Sequence, residues 1–465
     1  MQEEKVRARK KRIKRGLILL FWLGIWQLAA LLIGNSLLAA GPFETVKALI
    51  REAAVLSFWQ TIGITLMKFL AGFLLALFLG ILLGAFSYRL PFVEELLAPL
   101  MLLVKAVPVA SFVVILLIWW GAGRLSMAIT FLVALPIIYV NVREGLGSTD
   151  KKLLEMAEVF RLPFGSRFFY IYRPALQPFL EGTLETALSM GIKAGVAAEI
   201  IGIPKFSIGE ELYLSKIYLD TAGVFAWTFV VIILSYLLEK AVLLLWKNFC
   251  MWNPRIGAPA QEGEQRTRSG ADTLVLENIC KSYREKEVLR HVDMELKQDG
   301  IYCLMAPSGT GKTTLLHILA GLEKADEGQV FAGGEAESTE NNPRVSMVFQ
   351  EDRLFQNISA LQNVELICAI PERAKLLLEQ LLPGEDLLKP VKNLSGGMRR
   401  RVCIARALAA GSDVLLLDEP FSGLDEYSRN RAIEVILQHK GSRLLLAVTH
   451  EKEDAMKLGG EILQL

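Results

Sequence analysis

Ile301-Tyr-Cys-Leu-Met-Ala306 runs directly into PSGTG (307–311) and then KTTLLHILAGL (312–322). A short apolar run, a glycine-bearing turn and a periodic segment opening on Lys-Thr-Thr spell strand, tight loop and helix. In that order the loop is a candidate phosphate cradle. Small residues let successive backbone N–H groups turn inward, the helix N-terminus adds its dipole, and a lysine neutralises β/γ-phosphate oxygens. Ser308, Gly309, Thr310, Gly311, Lys312, Thr313 and Thr314 are the nucleotide-binding candidates, with Thr313 placing a hydroxyl where Mg²⁺ would sit. Against the pattern G-x-x-x-x-G-K-[ST], Ala306 stands where the first glycine is written. Alanine keeps the backbone N–H and is tolerated unless the position requires positive φ. A structural turn can also carry Gly-Lys-Thr, so the neighbouring motifs must decide.

Downstream, DVLLLDEP (413–420) is a buried strand ending in two carboxylates. Asp418 suits Mg²⁺ through water, and Glu419 suits orienting or deprotonating an attacking water. His450 closes the apolar run RLLLAVTH (443–450); at the C-terminal edge of an α/β strand it is placed to touch the γ-phosphate. Ser395, Gly396 and Gly397 open a helix through VCIARALAA, which makes a second anion site at a helix N-terminus. One nucleotide cannot easily use two such sites of one compact domain, so a second copy of the chain is expected to supply the other. Arg399–Arg401 and Arg406 read as a solvated helical face.

The first half is different in kind. Residues 17–34 are apolar apart from Gln27 and long enough to span a bilayer, and similar runs recur near 61–86, 97–120, 125–142, 184–203 and 223–246. Eight of the first 15 residues are Lys or Arg. Directly before an apolar run they fit the positive-inside rule better than a nucleic-acid patch, and an uncleaved first helix better than a signal peptide. With the N-terminus inside and six spans, fifteen Lys/Arg fall on the inner side and five (Lys47, Arg51, Arg124, Lys205, Lys216) on the outer. The chain is thus expected to cross the cytoplasmic membrane several times with both termini in the cytoplasm. The five cysteines all fall inside and their spacing fits free thiols. Residues 1–250 form the expected membrane domain, 251–271 a polar linker, and 272–465 an α/β nucleotide-binding domain with a mostly parallel sheet. Residues 143–180 make the longest inner loop, with Glu155, Glu158, Arg161 and Arg167 among apolar residues. Its length suggests a docking surface.

Taken together, the motifs of the second half resemble the ATPase domain of ABC transporters. Residues 306–314 match the Walker A loop, Gln350 in MVFQEDRL the Q-loop glutamine, and Leu394–Met398 the signature sequence. Leu415–Glu419 match Walker B, Ser422–Asp425 the D-loop, His450 the switch histidine, and Tyr283 the aromatic that stacks on adenine. The first half resembles a permease of the nitrate/sulfonate/taurine importer group, with Glu155-Met-Ala157 where such permeases carry the EAA docking loop. The resemblance implies catalytic roles for Glu419, His450 and Lys312, and ATP and Mg²⁺ as cofactors. It places Thr313, Gln350 and Asp418 around the metal and Glu155, Ala157 and Glu158 in the docking loop. The loop departs from the group's pattern at Met156, in place of an alanine, and at Arg161-Leu-Pro, in place of the usual glycine region. The chain runs 15 residues past His450, so no C-terminal regulatory domain is expected.

The implied protein is a homodimeric importer, each copy supplying six spans and one ATPase, working with an extracellular substrate-binding protein and not with nucleic acid. A half-size exporter is the alternative, disfavoured because it needs long helices reaching into the cytoplasm; a non-transporting regulator is disfavoured by the complete membrane half. Ionisable residues within spans are costly. Lys105, Lys193 and Glu199, with Lys68, either line a path for an anionic cargo such as a sulfonate or nitrate, or snorkel and pair with one another. Thiamine precursors, riboflavin-like aromatics and aromatic acids are the other cargoes of the group.

Overall fold

The computed structural model describes residues 2–35, 38–252, 273–283, 286–307, 309–333 and 343–465, with the backbone alone for residues 2–12, 15 and 251. Ser308 and most of the expected linker lie outside the described residues. The chain divides into two compact units: Met1–Ser148 with Ala175–Trp252, and Thr149–Pro174 with Asn253–Leu465.

The first unit is helical. It holds α1 (Gln2–Ile33), α2 (Pro42–Ala53), α3 (Leu56–Arg89), α4 (Pro91–Ala106), α5 (Val109–Trp120) and α6 (Leu125–Gly147). The chain then makes α7 (Lys151–Val159) and α8 (Phe164–Arg167) in the second unit. It returns to the first for α9 (Arg173–Gly202), α10 (Ile208–Ile217) and α11 (Thr221–Met251). Among the described residues, four segments are each apolar and long enough to cross a membrane: Gly16–Ile33, Leu56–Arg89, Ala122–Gly147 and Thr221–Cys250. The run near 97–120, read above as one span, holds two helices, α4 and α5, bent by 101°, which make either one broken span or a re-entrant loop. Pro108 explains the break. It has no N–H to continue a helix and drives the preceding Val107 to an extended ψ of 131°. The run near 184–203 lies within the 30-residue α9, which carries Glu181, Glu185, Lys193 and Glu199 and falls outside that apolar set.

Small residues let α3 and α6 pack backbone to backbone. Gly72, Ala76, Gly80 and Gly84 recur every four residues along one face of α3. A β-carbon at Gly72 would sit 2.2 Å from the Met127 carbonyl oxygen, and one at Gly80 2.7 Å from the Ile138 side chain.

The second unit holds two sheets. Strands β1 (Thr273–Tyr283), β2 (Lys286–Lys297) and β4 (Glu327–Gly333) pair antiparallel in the order β2-β1-β4, with β3 (Ile301–Leu304) starting the other sheet between β2 and β4 in sequence. That second sheet is fully parallel, ordered β5-β6-β7-β3-β8, with β5 (Val345–Val348), β6 (Val414–Asp418), β7 (Leu444–Val448) and β8 (Glu461–Leu463). Strand alternation divides the core in two. Cys303, Val348, Leu415, Leu417 and Ala447 face a cluster with helices α13 (Ala360–Glu365), α14 (Pro371–Leu381), α15 (Gly396–Ala409) and α16 (Glu426–His439). Tyr302, Leu304, Met347, Leu416 and Leu446 face β1, β2 and α12 (Lys312–Leu319). Residues Met156, Ala157, Val159, Phe160 and Leu162 of the inner loop are buried in this second cluster.

Candidate functional site

The phosphate loop joins the end of β3 to the start of α12. Gly309 and Gly311 take φ of 84° and 93°, left-handed angles that favour glycine. At Gly311 a β-carbon would also stand 2.7 Å from the Leu289 side chain and 3.0 Å from the Val288 carbonyl oxygen. Ala306 is not among the described residues with positive φ, so alanine suits its backbone. Its carbonyl takes part in the loop: the Lys312 ammonium donates to the Ala306 and Pro307 carbonyls at 2.6 and 2.8 Å. The Thr310 hydroxyl donates to Pro307 as well, at 2.9 Å.

Beside the loop, β6 ends in Asp418, which is 1% exposed and has no hydrogen-bond partner on either carboxylate oxygen. Burial pushes its carboxyl above the ordinary carboxylate range. The nearby Thr313 hydroxyl, short of hydrogen-bonding geometry, works against that rise, and the Glu419 charge adds to it. Orphaned buried carboxylate oxygens next to a threonine hydroxyl are the donor set of a hard divalent cation, so these residues fit Mg²⁺. Glu419 follows with a left-handed φ of 46°. Its N–H donates to the Val448 carbonyl at 3.1 Å, and its carboxylate meets the His450 ring Nε2 at 3.1 Å. The strand edges thus bring two of the three expected catalytic side chains, Glu419 and His450, together. Non-glycine strain of this kind persists only where the surroundings enforce it, and it gathers at functional sites.

Gln350 follows β5 and is exposed. Tyr283, at the end of β1, donates its hydroxyl to Glu323 at 2.5 Å, and the Lys281 ammonium lies 5.7 Å from its ring centre. Burial first, then the Glu323 hydrogen bond, raise its phenol above the usual value, while a nearby Thr314 hydroxyl opposes them. Ser395 caps α15 by accepting from the Met398 N–H at 3.3 Å, with Ser395 and Gly396 exposed and Gly397 half-buried. Asp425 caps α16 in the same way through Ser428.

One expectation fails outright. Arg400 and Arg406 are not on a solvated face; they are 3% and 1% exposed. Arg399 and Arg401 are half-buried, Arg401 donating to the Leu381 carbonyl at 2.6 Å. Helical spacing held the missed signal. Arg400 shares a face with Cys403, Ile404 and Ala407, all buried, so it sits on the apolar stripe of α15. Its guanidinium is spent on backbone carbonyls around the catalytic residues.

The inner loop packs against the same unit through named pairs. Glu155 accepts from Arg353 at 2.6 Å, and Lys152 reaches Glu351 at 2.6 Å. The Lys152 hydrogen bond holds the Glu351 carboxyl below its ordinary value. Arg353 stacks 4.0 Å above the Phe349 ring and Arg406 lies 5.0 Å from that of Phe160. Ala157 is buried and Glu158 exposed. Met156 is fully buried, filling space that a smaller alanine would leave. Arg161 adopts φ of 50°, the conformation usually given to glycine.

In the first unit, Glu199 is fully buried, accepting from the Thr65 hydroxyl at 3.1 Å and the Gly209 N–H at 3.3 Å. Its other carboxylate oxygen has no partner among the described residues, and no lysine ion pair reaches it there. Lys105 and Lys193 are exposed and Lys68 half-buried. Among the described residues Glu199 forms no salt bridge with Lys68, Lys105 or Lys193, although Lys68 is near enough for its charge to act on the carboxylate.

A family profile described as "ABC transporter" matches residues 289–422, and one described as "Binding-protein-dependent transport system inner membrane component" matches residues 76–247. The probable sulfate/thiosulfate import ATP-binding protein of Chlorella vulgaris is 36% identical over 208 residues, 42% of this chain and 87% of that protein. The chain belongs to the ABC transporters. An aliphatic sulfonates import ATP-binding protein of Burkholderia lata is 38% identical over 217 residues, 45% of this ABC transporter and 78% of the relative. An Fe(3+) ions import ATP-binding protein of Vibrio cholerae is 36% identical over 202 residues, covering 41% and 58% respectively. This ABC transporter joins a membrane component and an ATPase in one chain and couples ATP hydrolysis to import.

Proposed function

We propose that two copies of this ABC transporter import a small anionic solute of the sulfonate, sulfate or nitrate kind, delivered by an extracellular binding protein. The reading places the termini in the cytoplasm and takes six spans per copy: the four apolar segments, the bent α4–α5 pair and the more polar α9. Each ATP lies between the Ala306–Thr314 loop of one copy and Ser395–Gly397 of the other. Lys312 exchanges its two carbonyl partners for β/γ-phosphate oxygens, and Tyr283 stacks on adenine. Thr313, Asp418 and Gln350 would hold Mg²⁺, which when bound neutralises phosphate charge. Glu419 takes a proton from the water whose oxygen attacks the γ-phosphorus, ADP departs as leaving group, and His450 orients Glu419 and the γ-phosphate. Glu155, Ala157 and Glu158 belong to the docking helix α7, which is continuous in the chain with α6 and α9.

The observation that carries the reading is the short α7, buried by Met156 and Ala157 against the ATPase core and clamped by the Glu155–Arg353 pair. A nine-residue docking helix is what an importer needs and is far shorter than an exporter's cytoplasmic extensions. Lys105 and Lys193, exposed in the membrane unit, support the anionic class, as does the likeness to sulfate and sulfonate import ATPases. ATPase activity of the full chain in nanodiscs, with candidate binding proteins and sulfate, alkanesulfonates or nitrate, tests it. Stimulation only by a binding protein loaded with its anion is the expected result. Stimulation by hydrophobic compounds alone would favour export. Stimulation by a loaded binding protein carrying a neutral aromatic would overturn the anionic class.

A further inference from the structure

Arg400 is a buried, fixed cation that no step above uses. Its Nη1 donates to the Phe349 carbonyl at 2.5 Å and the Gln350 carbonyl at 3.3 Å. Nη2 donates to the Asp418 carbonyl at 2.9 Å and to the Glu419 carbonyl, and Nε donates to the Pro420 carbonyl at 3.2 Å. One side chain thus ties five consecutive-strand carbonyls from two segments: the exit of β5 and the exit of β6. These are the segments that present Gln350 and Glu419. The rigid fork of a guanidinium suits such a bracket, where a lysine offers a single point charge.

The β5 segment has a second set of partners. Next to Gln350, Glu351 pairs with Lys152 of α7, and Arg353 pairs with Glu155 of α7. Asp352, between them, lies 3.7 Å from both Arg399 and Arg400, and the Arg353 carbonyl accepts from Arg406 at 2.5 Å. Residues 349–353 are therefore gripped by α15 on one side and by α7 on the other.

We propose that Arg400 is a positioning residue that locks Gln350 and Glu419 into one frame, so that displacement of α7 reaches the hydrolytic carboxylate through residues 349–353. It also enforces the left-handed Glu419, whose N–H is held by Val448 while Arg400 holds its carbonyl. The inference rests on the roles given above to Glu419 and Gln350.

The test is steady-state ATP hydrolysis by the full chain in nanodiscs, comparing Arg400→Met, Arg400→Lys, Glu155→Gln and the double variant Arg400→Met/Glu155→Gln. Arg400→Met lowers kcat at least about tenfold while KM for ATP stays within about threefold, because no ATP contact is removed. Arg400→Lys restores at least about a third of the lost turnover. Glu155→Gln alone changes kcat by about threefold or more, and that change shrinks below about twofold once Arg400 is methionine. A kcat within twofold of wild type in Arg400→Met, or effects of Glu155 and Arg400 that simply multiply, overturns the proposal. So does a KM that rises in step with the fall in kcat. If Arg400→Met fails to fold, Arg400→Lys carries the same comparison: kcat below wild type at unchanged KM supports the bracket, and wild-type kinetics overturn it. Glu419→Gln run alongside separates the two readings. Retained hydrolysis there sinks the site assignment, whereas a dead Glu419→Gln beside a normal Arg400→Met sinks only the role of Arg400.

Discussion

Within the phosphate loop the conformational demands fall on Gly309 and Gly311, whereas Ala306 contributes a carbonyl and an ordinary backbone. Replacing Ala306 by glycine therefore leaves KM for ATP within about twofold and lowers stability by about 0.4–1 kcal/mol, through added freedom of the unfolded chain. Titration calorimetry with ATP and thermal unfolding check both halves; a tenfold gain in ATP affinity would mean that the alanine strains the loop. At Glu419 the carboxylate faces His450 across 3.1 Å. Glu419→Gln keeps the shape and removes the base, so ATP still binds while turnover falls by about 10²–10⁴-fold. Wild-type hydrolysis in that variant contradicts the assignment. These residues were legible because motif spacing names them. Arg400 was not, because three successive arginines look solvated until helical phase is applied to the buried residues that follow.

Among the elements, α7 shows how a departure from a family pattern is absorbed. The helix ends on paired hydrogen bonds, the Leu162 N–H to the Ala157 carbonyl and the Arg161 N–H to that of Glu158. That is a Schellman-type stop with Arg161 in the left-handed position normally held by glycine. The Arg161 side chain is exposed, so Arg161→Gly loses no packing. It relieves about 1–2 kcal/mol of local strain, which raises the thermal midpoint without changing ATP turnover. An unchanged or lower midpoint would show that the side chain supplies something unseen here. The α4–α5 bend was also readable in principle: the Val107-Pro108 pair marks a helix boundary, and the apolar composition on both sides concealed it.

Across the molecule, charge burial sets how conditions act. Between the ordinary carboxylate pKa and its raised folded value, Asp418 keeps a proton that the unfolded chain has already released. Stability is therefore greatest below that window and falls as pH rises through it. A divalent cation binds the ionised carboxylate and offsets the loss, so stabilisation by Mg²⁺ grows with pH across the same window. Thermal unfolding of the full chain with Mg²⁺ or with EDTA, from about pH 4 to about pH 8, checks the sign; a Mg²⁺ effect independent of pH would contradict it. Hydrolysis is lost on EDTA treatment and returns with Mg²⁺. The sequence by itself determined the two halves, the parallel α/β sheet and the order of the nucleotide motifs. These follow from local signals: runs of bilayer length, strand–loop–helix transitions and residue spacing. Tertiary structure alone decided which carbonyls Arg400 brackets, that Asp418 lacks partners, that Glu199 accepts from Thr65 and Gly209, and that residues 349–353 join the catalytic edge to α7. Those facts depend on which chain segments, distant in sequence, surround a side chain and exclude water from it. No local pattern of residues encodes that.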